Sequence, residues 1–125
     1  MAQKAQTSIQ KVRSGLPVRE LTKLTSELAQ PMEVWSKILG VSTRTMLRSR
    51  TSSKRLDANV SDRLERVKRI YALTQDVVGG PEKARLWLLR ANRSLQGEIP
   101  LELLDTDAGT ELVQEELYRI QYGII

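Results

Sequence analysis

An all-α fold follows from three observations on this sequence. Apolar residues recur at i, i+3 and i+4 spacings in several separate segments, the period of one buried helical face. No stretch alternates apolar and polar residues long enough to make a strand. Helix-stopping and helix-starting residues fall between the periodic segments, at Gly40, at Gly79-Gly80-Pro81 and at Pro100. The expected organisation is a flexible basic arm over 1–15, one helical module over 16–60 and a second over 61–125.

The elements follow in order. Residues 1–15 carry Lys4, Lys11 and Arg13, no acid and no aromatic residue, and end in Ser14-Gly15. They read as a frayed arm that either follows a polyanion or stays solvated. Leu16-Pro17 opens an ordered segment whose stripe is Leu21, Leu24 and Leu28, with Arg19, Glu20, Lys23 and Glu27 elsewhere on the wheel. Pro31 starts the next helix, striped by Val34, Trp35, Ile38 and Leu39. Gly40 is placed to end it in a left-handed conformation. Ser42 can cap another short helix. Val41 and Met46 should turn inward there, and Thr43, Arg44, Leu47 and Arg48 outward.

From Thr51 to Val60 the sequence reads as a loop. Asp62 with Glu65 makes a capping-box-like start to a long helix striped by Leu64, Val67, Ile70/Tyr71, Leu73 and Val77, with Arg63, Arg66, Lys68 and Arg69 making its outer surface basic. Gly79-Gly80-Pro81 ends it and begins a helix carrying Ala84, Trp87, Leu88 and Leu89, in which Trp87 reads as a core anchor. Residues 91–97 form a loop by their Asn, Ser and Gly content. Pro100 begins a single helical turn. Asp105-Thr106-Asp107 caps a last helix with Leu112, Val113, Leu117 and Ile120 on one face, and Tyr122-Gly123-Ile124-Ile125 follows it.

Composition narrows the function. The 125 residues hold no Cys and no His. Disulfides, thiolate nucleophiles, Cys-based zinc sites and the commonest general base are therefore absent. The carboxylates Glu98, Glu102, Asp105, Asp107, Glu111, Glu115 and Glu116 are scattered over loop and helix and read as a solvated acidic face. No enzyme activity, cofactor or metal is expected. No apolar run approaches the roughly 20 residues of a membrane span, and no signal-peptide core is visible, so the expected location is the cytoplasm. The net charge is +5, which favours polyanionic partners. The charge is unevenly spread. Ser36 to Arg69 holds ten Lys/Arg against three acids, a balance of +7; Gly97 to Ile125 holds one Arg against seven acids, a balance of −6.

Glu33 to Arg50, two short amphipathic segments around Gly40, has the form of a helix-turn-helix whose second helix can lie in the DNA major groove. Arg44 and Arg48, one turn apart, suit guanine O6 and N7; Thr43 can reach a base edge or a phosphate, and Leu47 a thymine methyl. Arg50, Lys54 and Arg55 should grip phosphates, which position without specifying. One such unit covers few base pairs, so a homodimer on operator double-stranded DNA is expected.

The second half resembles the toxin-binding domain of Xre/MbcA/ParS-type antitoxins. The resemblance rests on Thr45-Met-Leu-Arg48, Ser61-Asp-Arg-Leu64, Gly80, Ala84, Trp87-Leu88, Asn92, Leu95 and Gly97. It continues through Pro100-Leu101, Leu103-Leu104, Thr106, Gly109, Val113 and Arg119-Ile-Gln-Tyr-Gly123. The helix-turn-helix ahead of it looks like that family's Xre-like module. Residues 1–15 match nothing nameable, and Ser49 stands where such a motif often has an inward-packing apolar residue. The resemblance implies an antitoxin that blocks the pocket of a cognate RES-domain, NAD-depleting toxin and represses its own operon. It places Trp87, Asn92, Leu103, Leu104, Arg119, Tyr122, Gly123, Ile124 and Ile125 in the toxin-binding set. The alternative is a stand-alone helix-turn-helix repressor with a helical dimerisation tail.

Overall fold

The computed structural model describes residues 2–51 and 54–123, with backbone alone over 2–6. Among them the chain forms α-helices and 3-10 turns and no strand. It divides into two compact units, residues 1–65 and 66–125.

Unit 1 contains α1 (Ala2–Ser14), α2 (Val18–Glu27), α3 (Met32–Leu39), α4 (Thr43–Thr51) and the first turns of α5 (Ala58–Val78). Residues 2–14 are helical where the sequence reading has a frayed arm. Their Ala, Gln and Lys are good helix formers, and low apolar content was a poor guide to backbone state. Leu21, Leu24 and Leu28 of the second stripe are buried, as are Trp35, Ile38 and Leu39 of the third. Pro31 is the residue before α3, not its first. Trp35 is the anchor of this unit: it is 1% exposed, and its Nε1 donates to the Leu28 carbonyl at 3.1 Å. That bond satisfies the one polar atom of a large buried ring, as burial of an indole requires.

Helix α5 begins four residues before Asp62. Asp57 Oδ1 accepts from the Val60 amide at 2.9 Å, so Asp57 is the cap and the Asp62/Glu65 start is corrected. Its buried line is Val60, Ser61, Leu64, Val67, Ile70, Tyr71 and Thr74; Leu73 and Val77 are half-buried at its edge.

Unit 2 contains the rest of α5, α6 (Pro81–Leu89), 3-10 turns at Arg93–Leu95 and Pro100–Asp105, and α7 (Asp107–Tyr122). Its interior is made by Ala84, Leu88, Leu95, Leu101, Leu104, Val113 and Leu117 with Val67, Ile70, Tyr71 and Thr74 of α5. Each fully buried Leu contributes about 1.5–3 kcal/mol. Thr106 caps α7 by accepting from the Gly109 amide at 2.9 Å. A Cβ on Gly109 would lie 2.0 Å from the Leu103 carbonyl oxygen, so α7 packs against the preceding turn at a distance that only glycine permits.

Three expectations change here. Trp87 is half-buried and is not a core anchor, because the α6 interior line is Ala84 and Leu88 and Trp87 lies beside it. Leu112 and Ile120 are exposed, and only Val113 and Leu117 of that stripe are interior. Arg63 and Arg66 do not simply coat α5 with charge. Arg63 reaches the Ile38 carbonyl at 3.4 Å within unit 1. Arg66 reaches the Leu104 carbonyl at 3.2 Å and pairs with Asp107 within unit 2.

Candidate functional site

The turn between α3 and α4 is built from four residues. Gly40 ends α3 at φ 68°, with its amide directed to the Ser36 and Lys37 carbonyls. Ser36 Oγ donates to the Val41 carbonyl, and the Val41 amide donates back to the Ser36 carbonyl at 3.1 Å. Ser42 Oγ accepts from the Thr45 amide at 3.1 Å, capping α4. The Arg63 guanidinium lies over Gly40, where a Cβ would approach it to 2.9 Å. The left-handed angle selects glycine at this position; the guanidinium, at the end of a flexible side chain, can move aside.

Helix α4 is fixed from beneath by Met46, which is buried, while Val41 and Ser49 are half-buried. Arg44, Leu47, Arg48 and Thr51 form one exposed face with Thr43 half-buried at its start. Leu47 is 54% exposed, an unfavourable place for a large apolar side chain unless something covers it. Arg50, Lys54 and Arg55 are exposed beyond this face. The segment that carries them is tied down: Arg55 Nη1 donates to the Gly15 carbonyl at 2.8 Å, the Leu56 amide to the Leu16 carbonyl at 2.9 Å, and the Leu16 amide to Ser61 Oγ at 2.8 Å. Gly15 has φ 86°, and a Cβ there would sit 2.2 Å from the Leu56 carbonyl oxygen. Through these ties Arg50 and Arg55 line a groove with Arg19 and Lys23 of α2, two residues that the sequence reading left on a solvated face.

In unit 2 the sequence-predicted set divides. Trp87 and Asn92 share a groove of about 390 Å³ with Val78, Lys83, Leu86 and Arg90. Asn92 also organises its own loop. Its side chain accepts from the Ser94 amide at 2.9 Å, its amide donates to the Glu98 carbonyl at 2.9 Å, and its carbonyl accepts from Leu95 and Gly97. Arg119, Tyr122 and Gly123 do not line this groove; they are exposed at the last turn of α7, where Gly123 at φ 66° caps the helix. The Tyr118 and Tyr122 rings lie 6.3 Å apart. Leu103 is half-buried. Leu104 is wholly interior and offers no surface to a partner. Ile124 and Ile125 lie outside the described residues. Tyr118, Leu112 and Ile120 are exposed apolar residues on α7 outside the toxin-binding set that the resemblance implied. Their signal was the excess of large apolar residues over what a single stripe on one helix can bury. Among the described residues no helix is long and apolar enough to cross a membrane.

Two family models match these two parts of the chain. The antitoxin Xre-like helix-turn-helix domain matches residues 8–69. The antitoxin Xre/MbcA/ParS C-terminal toxin-binding domain matches residues 73–123. The chain belongs to the Xre/MbcA/ParS antitoxin family. Within that family it resembles Antitoxin Xre of Pseudomonas putida, with 37% identity over 68 residues that make up 54% of this chain and 43% of that protein. The alignment thus spans less than half the length of the P. putida relative. Antitoxin Xre of Photorhabdus laumondii is 28% identical over 115 residues, 91% of this chain and 78% of that one. The fold is shared with a chain of the crystal structure of the M. tuberculosis MbcT-MbcA toxin-antitoxin complex, at TM-score 0.58 and 19% identity, covering 86% of this chain and 96% of that chain.

Proposed function

We propose that this protein is a bifunctional antitoxin whose α4 face binds operator DNA and whose unit 2 binds and silences a cognate toxin. The observation that carries the reading is the pairing of a capped recognition helix, with Arg44 and Arg48 exposed on one face, with a second module matching a toxin-binding domain. The toxin we assign is of the RES class. The segment from Gly97 onward has a charge balance of −6, which suits a pocket built to hold an anionic dinucleotide. The end of α7 supplies the blocking group: Tyr122 is 68% exposed, Gly123 lets the chain turn close to a partner, and Ile124-Ile125 adds an apolar tip. Binding as a dimer to its own operator completes the circuit as autorepression.

The test is co-expression with the product of the adjacent reading frame, followed by purification of the pair. A stable complex, and cellular NAD that falls only when the antitoxin is withheld, is the expected result. A neighbour that never co-purifies, or one that arrests growth without moving NAD, overturns the partner or its class respectively.

A further inference from the structure

The groove between the start of α2 and the end of α4 holds four cations and no acid. It has a volume of about 700 Å³ and is lined by Pro17, Val18, Arg19, Thr22, Lys23, Arg50 and Arg55. Arg19 and Lys23 are one turn apart on α2, and both are exposed. The side chains of Arg19, Lys23 and Arg50 make no hydrogen bond or ion pair among the described residues. Arg55 is held in place by Gly15, and the Gly15–Leu16 segment is bonded to Leu56 and Ser61. The basic groups are thus gathered by backbone ties and not by a carboxylate, and gathering like charges without a counter-charge is unfavourable unless an anion joins them.

We propose that this groove is a phosphate clamp for the DNA backbone, in which Arg19 and Lys23 are positioning residues beside Arg50 and Arg55. The occupant is DNA because four cations with no acid complement a phosphodiester backbone, and because Arg50 brings the groove to the last turn of α4, the helix that presents Arg44 and Arg48. The inference rests on the DNA-binding reading above. Its own content is that α2 contributes contacts that carry no sequence information.

The experiment measures duplex binding by the full chain across a salt series, using the segment immediately upstream of its own reading frame and a scrambled duplex of equal length. The variant R19Q/K23Q should weaken both duplexes by the same factor, about tenfold or more near 0.1 M salt, and reduce the slope of log K against log salt by about two. The charge-preserving variant R19K/K23R should restore the slope. A wild-type slope in R19Q/K23Q, or a loss confined to the upstream duplex, overturns the clamp. The same holds if inorganic phosphate alone shifts the Arg19 and Lys23 resonances while the slope stays unchanged. R44A/R48A separates the two ideas: if it abolishes preference for the upstream duplex while R19Q/K23Q changes nothing, the clamp fails and the DNA-binding reading stands. If the wild type shows no salt-sensitive binding to either duplex, both fall.

Discussion

The two tryptophans illustrate how much a single residue's place depends on its neighbours. On a helical wheel Trp35 and Trp87 look equivalent, each beside leucines at helical spacing. Trp35 is interior because Leu28 offers a carbonyl at 3.1 Å to its Nε1, a partner seven residues away across a turn that no wheel displays. Trp35→Ala should therefore cost about 3–5 kcal/mol, measured by chemical denaturation. Trp87→Ala should cost roughly 1 kcal/mol, because its ring is only partly removed from water. Equal losses would contradict this placement. Gly15 makes a second case. In the sequence it looks like the end of a loose arm, yet its positive φ and the 2.2 Å approach that a Cβ would make to the Leu56 carbonyl oxygen make it a fixed point of unit 1. Gly15→Ala should cost more than the roughly 1–3 kcal/mol of backbone strain alone, seen as a lowered thermal midpoint, since the Leu56 carbonyl must also shift. A near-neutral outcome would mean that the Gly15–Leu56 contact is not maintained.

At the scale of the element, the amphipathic pattern gave the right positions for α2, α3 and α4, because each has one narrow apolar stripe closed by a legible stop such as Gly40. It failed at the start of α5, where Asp57 and Asp62 both fit the capping preference and the choice was made by the Leu16 and Ser61 ties that hold the preceding segment. It also failed for Arg63 and Arg66, since a long guanidinium can turn back to cap a carbonyl from a position that looks solvent-facing. The exposure of Arg44, Leu47 and Arg48 on one side of α4 was legible; the groove that Arg50 and Arg55 share with α2 was not, because it comes from contacts forty residues apart in sequence. If α4 is the reading helix, R44A/R48A should lower operator affinity by about 1–3 kcal/mol per lost base contact while leaving α4 folded. Unchanged affinity in a mobility-shift assay, with helicity intact by circular dichroism, would mean that another element reads the DNA.

For the whole molecule, the separation of charge along the sequence and the division into units 1–65 and 66–125 match two family models that meet near the same place, at residues 69 and 73. Helix α5 runs from Ala58 to Val78 without a break, so it carries both the end of unit 1 and the start of unit 2. A continuous helix carries no compositional mark of where one core gives way to the next. If the proposed DNA and toxin functions are independent, a separable phenotype is the expected consequence. The decisive measurement is growth of cells expressing the adjacent toxin together with the full chain, R44A/R48A or a chain lacking residues 122–125. The full chain and R44A/R48A should protect, and the truncated chain should fail while still shifting operator DNA. Full protection by the truncated chain would contradict the account.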